Sequence, residues 1–131
     1  MRLFVVIAGI FGALAGAAGT GAAPESGPSV ADAARYSGYV ADRRSKPGRS
    51  FRAGEPVTLT FVDRRKRFTS YQVCWGQAGK PVDRCWFRLS GRRGQATGIR
   101  TPAPPRAGKW VVQWYVDTRL VVRWSFTSRR R

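Results

Sequence analysis

From residue 34 onward the chain breaks into short runs in which apolar and polar residues alternate, separated by Gly, Pro and basic turns. A period of two over six to eight residues is that of strands with one buried face. The runs are 35–41, 56–62, 69–75, 84–89, 96–101, 109–116 and 120–127, all rich in Val, Thr, Tyr, Phe and Trp. Turn signals recur about every ten residues, as in a sandwich of two sheets. No helical period is visible after the first 23 residues.

The last two runs are the clearest. Trp110, Val112, Trp114 and Val116 alternate with Val111, Gln113, Tyr115 and Asp117, while Leu120, Val122, Trp124 and Phe126 alternate with Val121, Arg123, Ser125 and Thr127. A hairpin closed by Asp117-Thr118-Arg119 sets Val116 against Leu120, Trp114 against Val122, Val112 against Trp124 and Trp110 against Phe126. Every pair is then apolar on one face. A two-residue turn shifts the register and sets Val112 against Arg123, unless a bulge restores it.

The stretch Pro104-Pro105-Arg106-Ala107-Gly108-Lys109-Trp110, continued through Asp117 and then by Leu120 to Thr127, resembles the last two strands of bacterial secreted immunoglobulin-like or fibronectin-like domains. Thr118 stands where those domains often carry Gly. The resemblance implies an all-β, seven-strand immunoglobulin-like sandwich of fibronectin type, preceded by a signal peptide. The hairpin is also similar to the end of periplasmic copper-binding sandwich proteins of the copper-resistance type. Their copper is held by His, which this chain lacks, so neither copper nor any other cofactor is expected.

The first segment differs from everything after it. Met1-Arg2 leads into the apolar run 3–11 and then a Gly/Ala stretch to Ala23, the layout of an export signal with cleavage after Ala17 or Ala22. Residues 24–33, with Pro24, Gly27 and Pro28, read as a flexible linker, and 34–131 as the folded domain. The expected location is secreted, periplasmic or cell-envelope. There Cys74 and Cys85 are expected to form a disulfide stapling the third run to the fourth, closing a short loop that stabilises by about 3 kcal/mol in the chain-entropy model. If the cysteines point outward, Tyr71, Val73, Trp75 and Trp86 form core. If they point inward with Phe87 and Leu89, those aromatics are exposed.

Charge narrows the function classes. Lys and Arg number 24 against 7 Asp and Glu, giving +17, and His is absent. Without His there is no Ser-His-Asp or Cys-His device and no imidazole acid or base near neutrality. The expectation is therefore a non-enzymatic binding or structural module. The alternative is a cationic binder of acidic glycopolymer, nucleic acid or anionic lipid surface. In either case the partner is an unknown protein or an envelope polymer. Sequence-specific nucleic-acid recognition is not expected, for no zinc-finger or ribonucleoprotein motif is present.

The basic residues cluster between strands, and successive loops of a sandwich alternate between its ends. One end is expected to carry Arg64, Arg65, Lys66, Arg67, Arg92, Arg93 and Arg119, the candidate polyanion-binding set. The other is expected to carry Arg43, Arg44, Lys46, Arg49, Arg52, Lys80, Arg106 and the C-terminal arginines.

Overall fold

A computed structural model describes residues 27–65, 68–90 and 94–131. The export signal expected at 1–23 lies outside them. The first element is a short helix, α1 (Val30–Arg35), capped by Ser29: its Oγ accepts from the Asp32 N–H at 3.1 Å, and the Asp32 carboxylate accepts from the Ser29 N–H at 3.3 Å. This corrects the expectation that no helix follows the first 23 residues. Ser29-x-x-Asp32 is a capping box. Six residues are too few to display a 3.6 period, and so short a helix depends on tertiary partners.

Among the described residues eight strands follow: β1 (Tyr36–Ala41), β2 (Ser50–Arg52), β3 (Pro56–Asp63), β4 (Ser70–Gln77), β5 (Arg84–Leu89), β6 (Thr97–Pro102), β7 (Gly108–Val116) and β8 (Arg119–Arg129). All seven expected strands are present, with ends shifted by at most two residues. The added one, β2, is three residues long and lies parallel to the end of β8, where Phe51 packs edge-on against Phe126. The strands form two sheets, ordered β1-β3-β6 and β2-β8-β7-β4-β5.

Alternation decides what is buried. Tyr36, Val40, Val57, Leu59, Phe61 and Ile99 of the first sheet share one apolar cluster with Tyr71, Val73, Trp75, Trp110, Val112, Trp114 and Phe126 of the second. The open question about the cysteines is thereby resolved. Tyr71, Val73 and Trp75 face the core with Trp86 packed against it, while the Cys74–Cys85 disulfide lies on the opposite face of the sheet. Cys74 is nevertheless fully buried, in a second small cluster with Tyr115 and Leu120, and Val82 packs on it.

The β7–β8 hairpin departs from expectation in its turn. Trp110↔Phe126, Val112↔Trp124 and Trp114↔Val122 pair as expected, but Tyr115 pairs with Leu120 and Val116 with Arg119. Asp117 (φ 52°) and Thr118 (φ 65°) are both left-handed, so the turn has two residues and is of the kind whose twist suits a hairpin. The register is restored by a bulge that leaves Val121 as the extra residue. That bulge sends Val121 into the main core and Leu120 to the other face.

A β-branched residue at positive φ is strained by about 1–2 kcal/mol. Thr118→Gly is expected to gain about 1 kcal/mol, raising the thermal midpoint by roughly 4–8 °C. Thermal melts of the two proteins check it; an unchanged or lowered midpoint contradicts the left-handed turn.

The sheets end together. At the helix end, Arg64 N–H donates to Arg35 O at 2.7 Å, and the β3–β4 and β5–β6 connections meet through Ser90 N–H to Thr69 O at 2.8 Å. At the other end, called here the tail end, Ala53 N–H reaches Arg129 O at 2.7 Å, and the Ser128 hydroxyl donates to Pro104 O at 2.6 Å.

Candidate anion-binding site

The helix end gathers the described members of the expected polyanion set. Arg64, Arg65 and Arg119 are all there; Lys66, Arg67, Arg92 and Arg93 lie outside the described residues. Yet the three described guanidinium groups have internal partners. Arg64 Nη1 donates to the carbonyls of Ala33 (3.0 Å), Ala34 (3.2 Å) and Tyr36 (3.3 Å), which satisfies acceptors at the C-terminus of α1. Arg65 forks onto Asp63, with Nε to Oδ1 at 3.1 Å and Nη2 to Oδ2 at 2.9 Å, and also donates to the Tyr36 hydroxyl. Arg119 pairs with Asp32, so the hairpin turn holds α1 in place across 87 residues of sequence.

Both carboxylates respond to this setting. Burial alone would push the Asp63 carboxyl up, but the Arg65 side chain, the Thr69 hydroxyl and the Arg65 N–H all donate to it and together hold it below the usual carboxylate range. Asp32 behaves alike: burial acts upward and is outweighed by Arg119 and by the side chain and N–H of Ser29. A carboxyl depressed in the folded state contributes stability above its unfolded pKa of about 4 and loses it as pH falls through the folded value. The thermal midpoint is therefore expected to stay level from pH 7 to about 5 and to drop below about pH 4. Melts across that range check it, and a smaller acid drop in an Asp32→Asn variant identifies one of the groups responsible.

The tail end is arranged otherwise. Asp42 accepts the N–H groups of Arg44 (2.8 Å) and Lys46 (3.0 Å), which shapes the loop carrying Arg43, Arg44 and Lys46 outward. Arg49 lies over Trp124, its Cζ 3.6 Å from the ring centroid, and its Nη1 donates to Ser125 O at 3.0 Å. The Trp124 indole is itself fixed by donation to Gly48 O at 2.9 Å. Arg49 and Lys109 border an open groove of about 260 Å³ floored by Ala78, Trp110 and Phe126. A second recess of about 300 Å³ lies between Gly54, Pro105, Arg130 and Arg131. The acids nearby are Asp42, Glu55 and Asp83 of the β4–β5 connection, and the Glu55 carboxylate accepts the Arg52 N–H at 2.6 Å. The two ion pairs among the described residues are both at the helix end. Among those residues, then, no tail-end cation is paired with a carboxylate.

Sequence reasoning placed the charges at both ends but singled out the helix end. It missed Lys109, assigned only to a strand, and the seating of Arg49 on Trp124. No local signal could reveal that contact, because the partners are 75 positions apart in the chain. Among the described residues no three His, Cys, Asp or Glu side chains gather as metal ligands. No helix among them is long and apolar enough to cross a membrane.

No family model matches the chain, and no curated protein matches it. Solved structures that are similar include the sulfur carrier protein SoxY from Chlorobium limicola f thiosulfatophilum, at 12% identity and TM-score 0.40, with 74% of this chain and 79% of that one covered. The alkylpurine DNA glycosylase AlkC from Pseudomonas fluorescens aligns at 15% identity and TM-score 0.45 over 72% of this chain and 30% of its own. A β-glucosidase from Erythrobacter marinus aligns at 10% identity and TM-score 0.45 over 72% of this chain and 15% of its own. This chain thus spans under a third of the latter two. Likeness this remote assigns no activity.

Proposed function

We propose that this chain is an exported, non-catalytic binding module, an immunoglobulin-like sandwich of fibronectin type, and that it holds anionic polymer of the cell envelope or extracellular space at its tail end. Several features support the sandwich reading: the order β1-β3-β6 against β5-β4-β7-β8, with β2 parallel to β8, and the apolar cluster shared by both sheets. Export is supported by the leader pattern and by a disulfide, which persists in oxidising compartments. The absence of His, with Asp32, Asp42, Asp63 and Glu55 all engaged in local structure, supports the non-catalytic reading.

The carrying observation is the unequal use of arginine at the two ends. At the helix end Arg64, Arg65 and Arg119 hold backbone carbonyls and carboxylates. At the tail end Arg43, Arg44, Arg130 and Arg131 are exposed and Arg49 stands pre-oriented on an indole. Cations without carboxylate partners are the ones that can neutralise an incoming polymer and release its counterions.

Chromatography of the leader-free chain on immobilised heparin and on immobilised DNA, over a salt series, tests the proposal. Retention is expected to fall steeply and linearly on a log–log scale for both matrices, without base-sequence preference. Replacing Arg43, Arg44, Arg130 and Arg131 together by Ser is expected to lower that slope by roughly three to four. Replacing Lys66, Arg67, Arg92 and Arg93 by Ser is expected to change it less. The reverse ranking moves the site to the helix end and overturns the proposal.

A further inference from the structure

The edge of the five-stranded sheet lies apart from the tail-end charge in its make-up. Among the described residues, β5 is the last strand of its sheet and pairs only with β4. Cys74 and Cys85 face each other at a Cα separation of 4.1 Å, the close spacing of a non-hydrogen-bonded pair. Ser90 N–H donates to Thr69 O at 2.8 Å five positions further along, which fixes the same alternation. The backbone N–H and C=O of Cys85, Phe87 and Leu89 therefore point away from β4, toward the open side. The disulfide bolts the strand to its neighbour, so this row of donors and acceptors is held in place.

The side chains on this edge are unusual for a surface strand. Phe87 is 67% exposed and Leu89 60% exposed, on the face that carries the disulfide. Arg84 and Arg88 are exposed on the other face, with Trp86 between them and the Arg84 guanidinium 4.8 Å over its ring. A strand laid beside β5 alternates its side chains across the same two faces. It meets Phe87 and Leu89 with one set and Arg84 and Arg88 with the other.

We propose that β5 accepts an added strand from a partner in which acidic and apolar residues alternate. The apolar set covers Phe87 and Leu89, the acidic set pairs with Arg84 and Arg88, and the backbone groups of Cys85, Phe87 and Leu89 complete the ladder. This is strand addition to a sheet edge, in which main-chain bonds supply affinity and alternate side chains supply selectivity. Charge on an edge strand also disfavours pairing with a like-charged edge. A second copy of this chain would bring its own arginines and a net charge of the same sign. An acidic strand converts that repulsion into attraction.

The test uses the leader-free chain and three blocked ten-residue peptides: alternating Glu and Val, alternating Lys and Val, and the Glu-Val peptide N-methylated at every second residue. The Glu-Val peptide is expected to bind and to slow hydrogen exchange at the amides of Cys85, Phe87 and Leu89. N-methylation removes the ladder donors while keeping the charge, and is expected to weaken binding at least about ten-fold. Arg84→Glu with Arg88→Glu, both at exposed positions, is expected to reverse the preference to the Lys-Val peptide. Equal binding of the methylated peptide with no protection of those three amides shows mere charge attraction and overturns the proposal. Concentration-dependent protection of the same amides without peptide shows the edge occupied by a second copy, and overturns it equally.

Discussion

Replacing Asp63 by Ala is expected to cost about 3 kcal/mol or more of folding stability, the penalty for leaving one member of a buried ion pair without its partner. The side chain of Asp63 is fully buried, whereas that of Arg65 keeps 26% of its surface exposed. Arg65 can therefore turn partly to solvent, which places the loss toward the lower part of the usual 3–5 kcal/mol range. More than the fork is lost. The Thr69 hydroxyl also donates to Asp63, and the Arg65 N–H reaches Oδ1 at 2.9 Å, so one carboxylate organises the whole corner between β3 and β4. A buried hydroxyl and a backbone N–H are left without an acceptor. Urea titration of the wild type and of Asp63→Ala and Asp63→Asn measures this. The expected order of midpoints is wild type, Asn, Ala, since Asn preserves the volume and one accepting oxygen. A variant as stable as wild type shows that the corner does not depend on the network.

That corner also shows how far charge can be read from a chain. A cluster written Asp63-Arg64-Arg65-Lys66-Arg67 reads as a solvated basic loop, because sequence records net charge and not geometry. Asp63 lies two residues from Arg65 and binds it, while Arg119 finds Asp32 from the far end of the domain. Only folding brings the second pair together. Long alternations survive such ambiguity: in β7 every second residue from Trp110 to Val116 is buried in the core, as the period of two requires. Shorter features do not. Three residues of β2 carry no period, and α1 is visible only as a capping box followed by Ala33 and Ala34. The bulge at Val121 escapes for another reason. Burial fixed the three inner pairs of the hairpin, Trp110 with Phe126, Val112 with Trp124 and Trp114 with Val122, and a three-residue loop and a bulged two-residue turn satisfy those equally, differing only at Leu120 and Val121. The choice between them lies in backbone twist, which hydrophobic patterning does not encode.

The disposition of the arginines follows a physical division. Guanidinium groups anchor the helix end, where α1 and the start of β1 present carbonyls and Asp32 and Asp63 present carboxylates. The tail end closes by other means, through backbone bonds at Ala53, Gly54 and Ala103 and the hydroxyl of Ser128. Its cations are thereby left exposed. The same residue type thus holds carboxylates and helix carbonyls at one pole, while at the other Arg43, Arg44, Arg130 and Arg131 are exposed.

Trp114→Ala is expected to be as damaging as any single change in the core, at about 3–5 kcal/mol. The indole is fully buried at the centre of β7, between β4 and β8, and is the largest of the fully buried side chains. Across the interior it meets Gly38 of β1. A Cβ built on Gly38 would lie 3.0 Å from three atoms of the ring, closer than ordinary van der Waals contact. The missing side chain on one sheet is therefore matched to the largest one on the other, and the two positions set how closely the sheets approach. This predicts a coupling that additive core substitutions do not show. Gly38→Ala alone is expected to cost about 1–3 kcal/mol by overpacking, because an indole locked in the core cannot move aside. In a Trp114→Phe background the smaller ring leaves room, and the same substitution is expected to cost less by at least about 0.5 kcal/mol. Four urea titrations complete the cycle. Strict additivity would mean that β1 does not pack on β7 at this point, and the close approach of the two sheets would have to be abandoned.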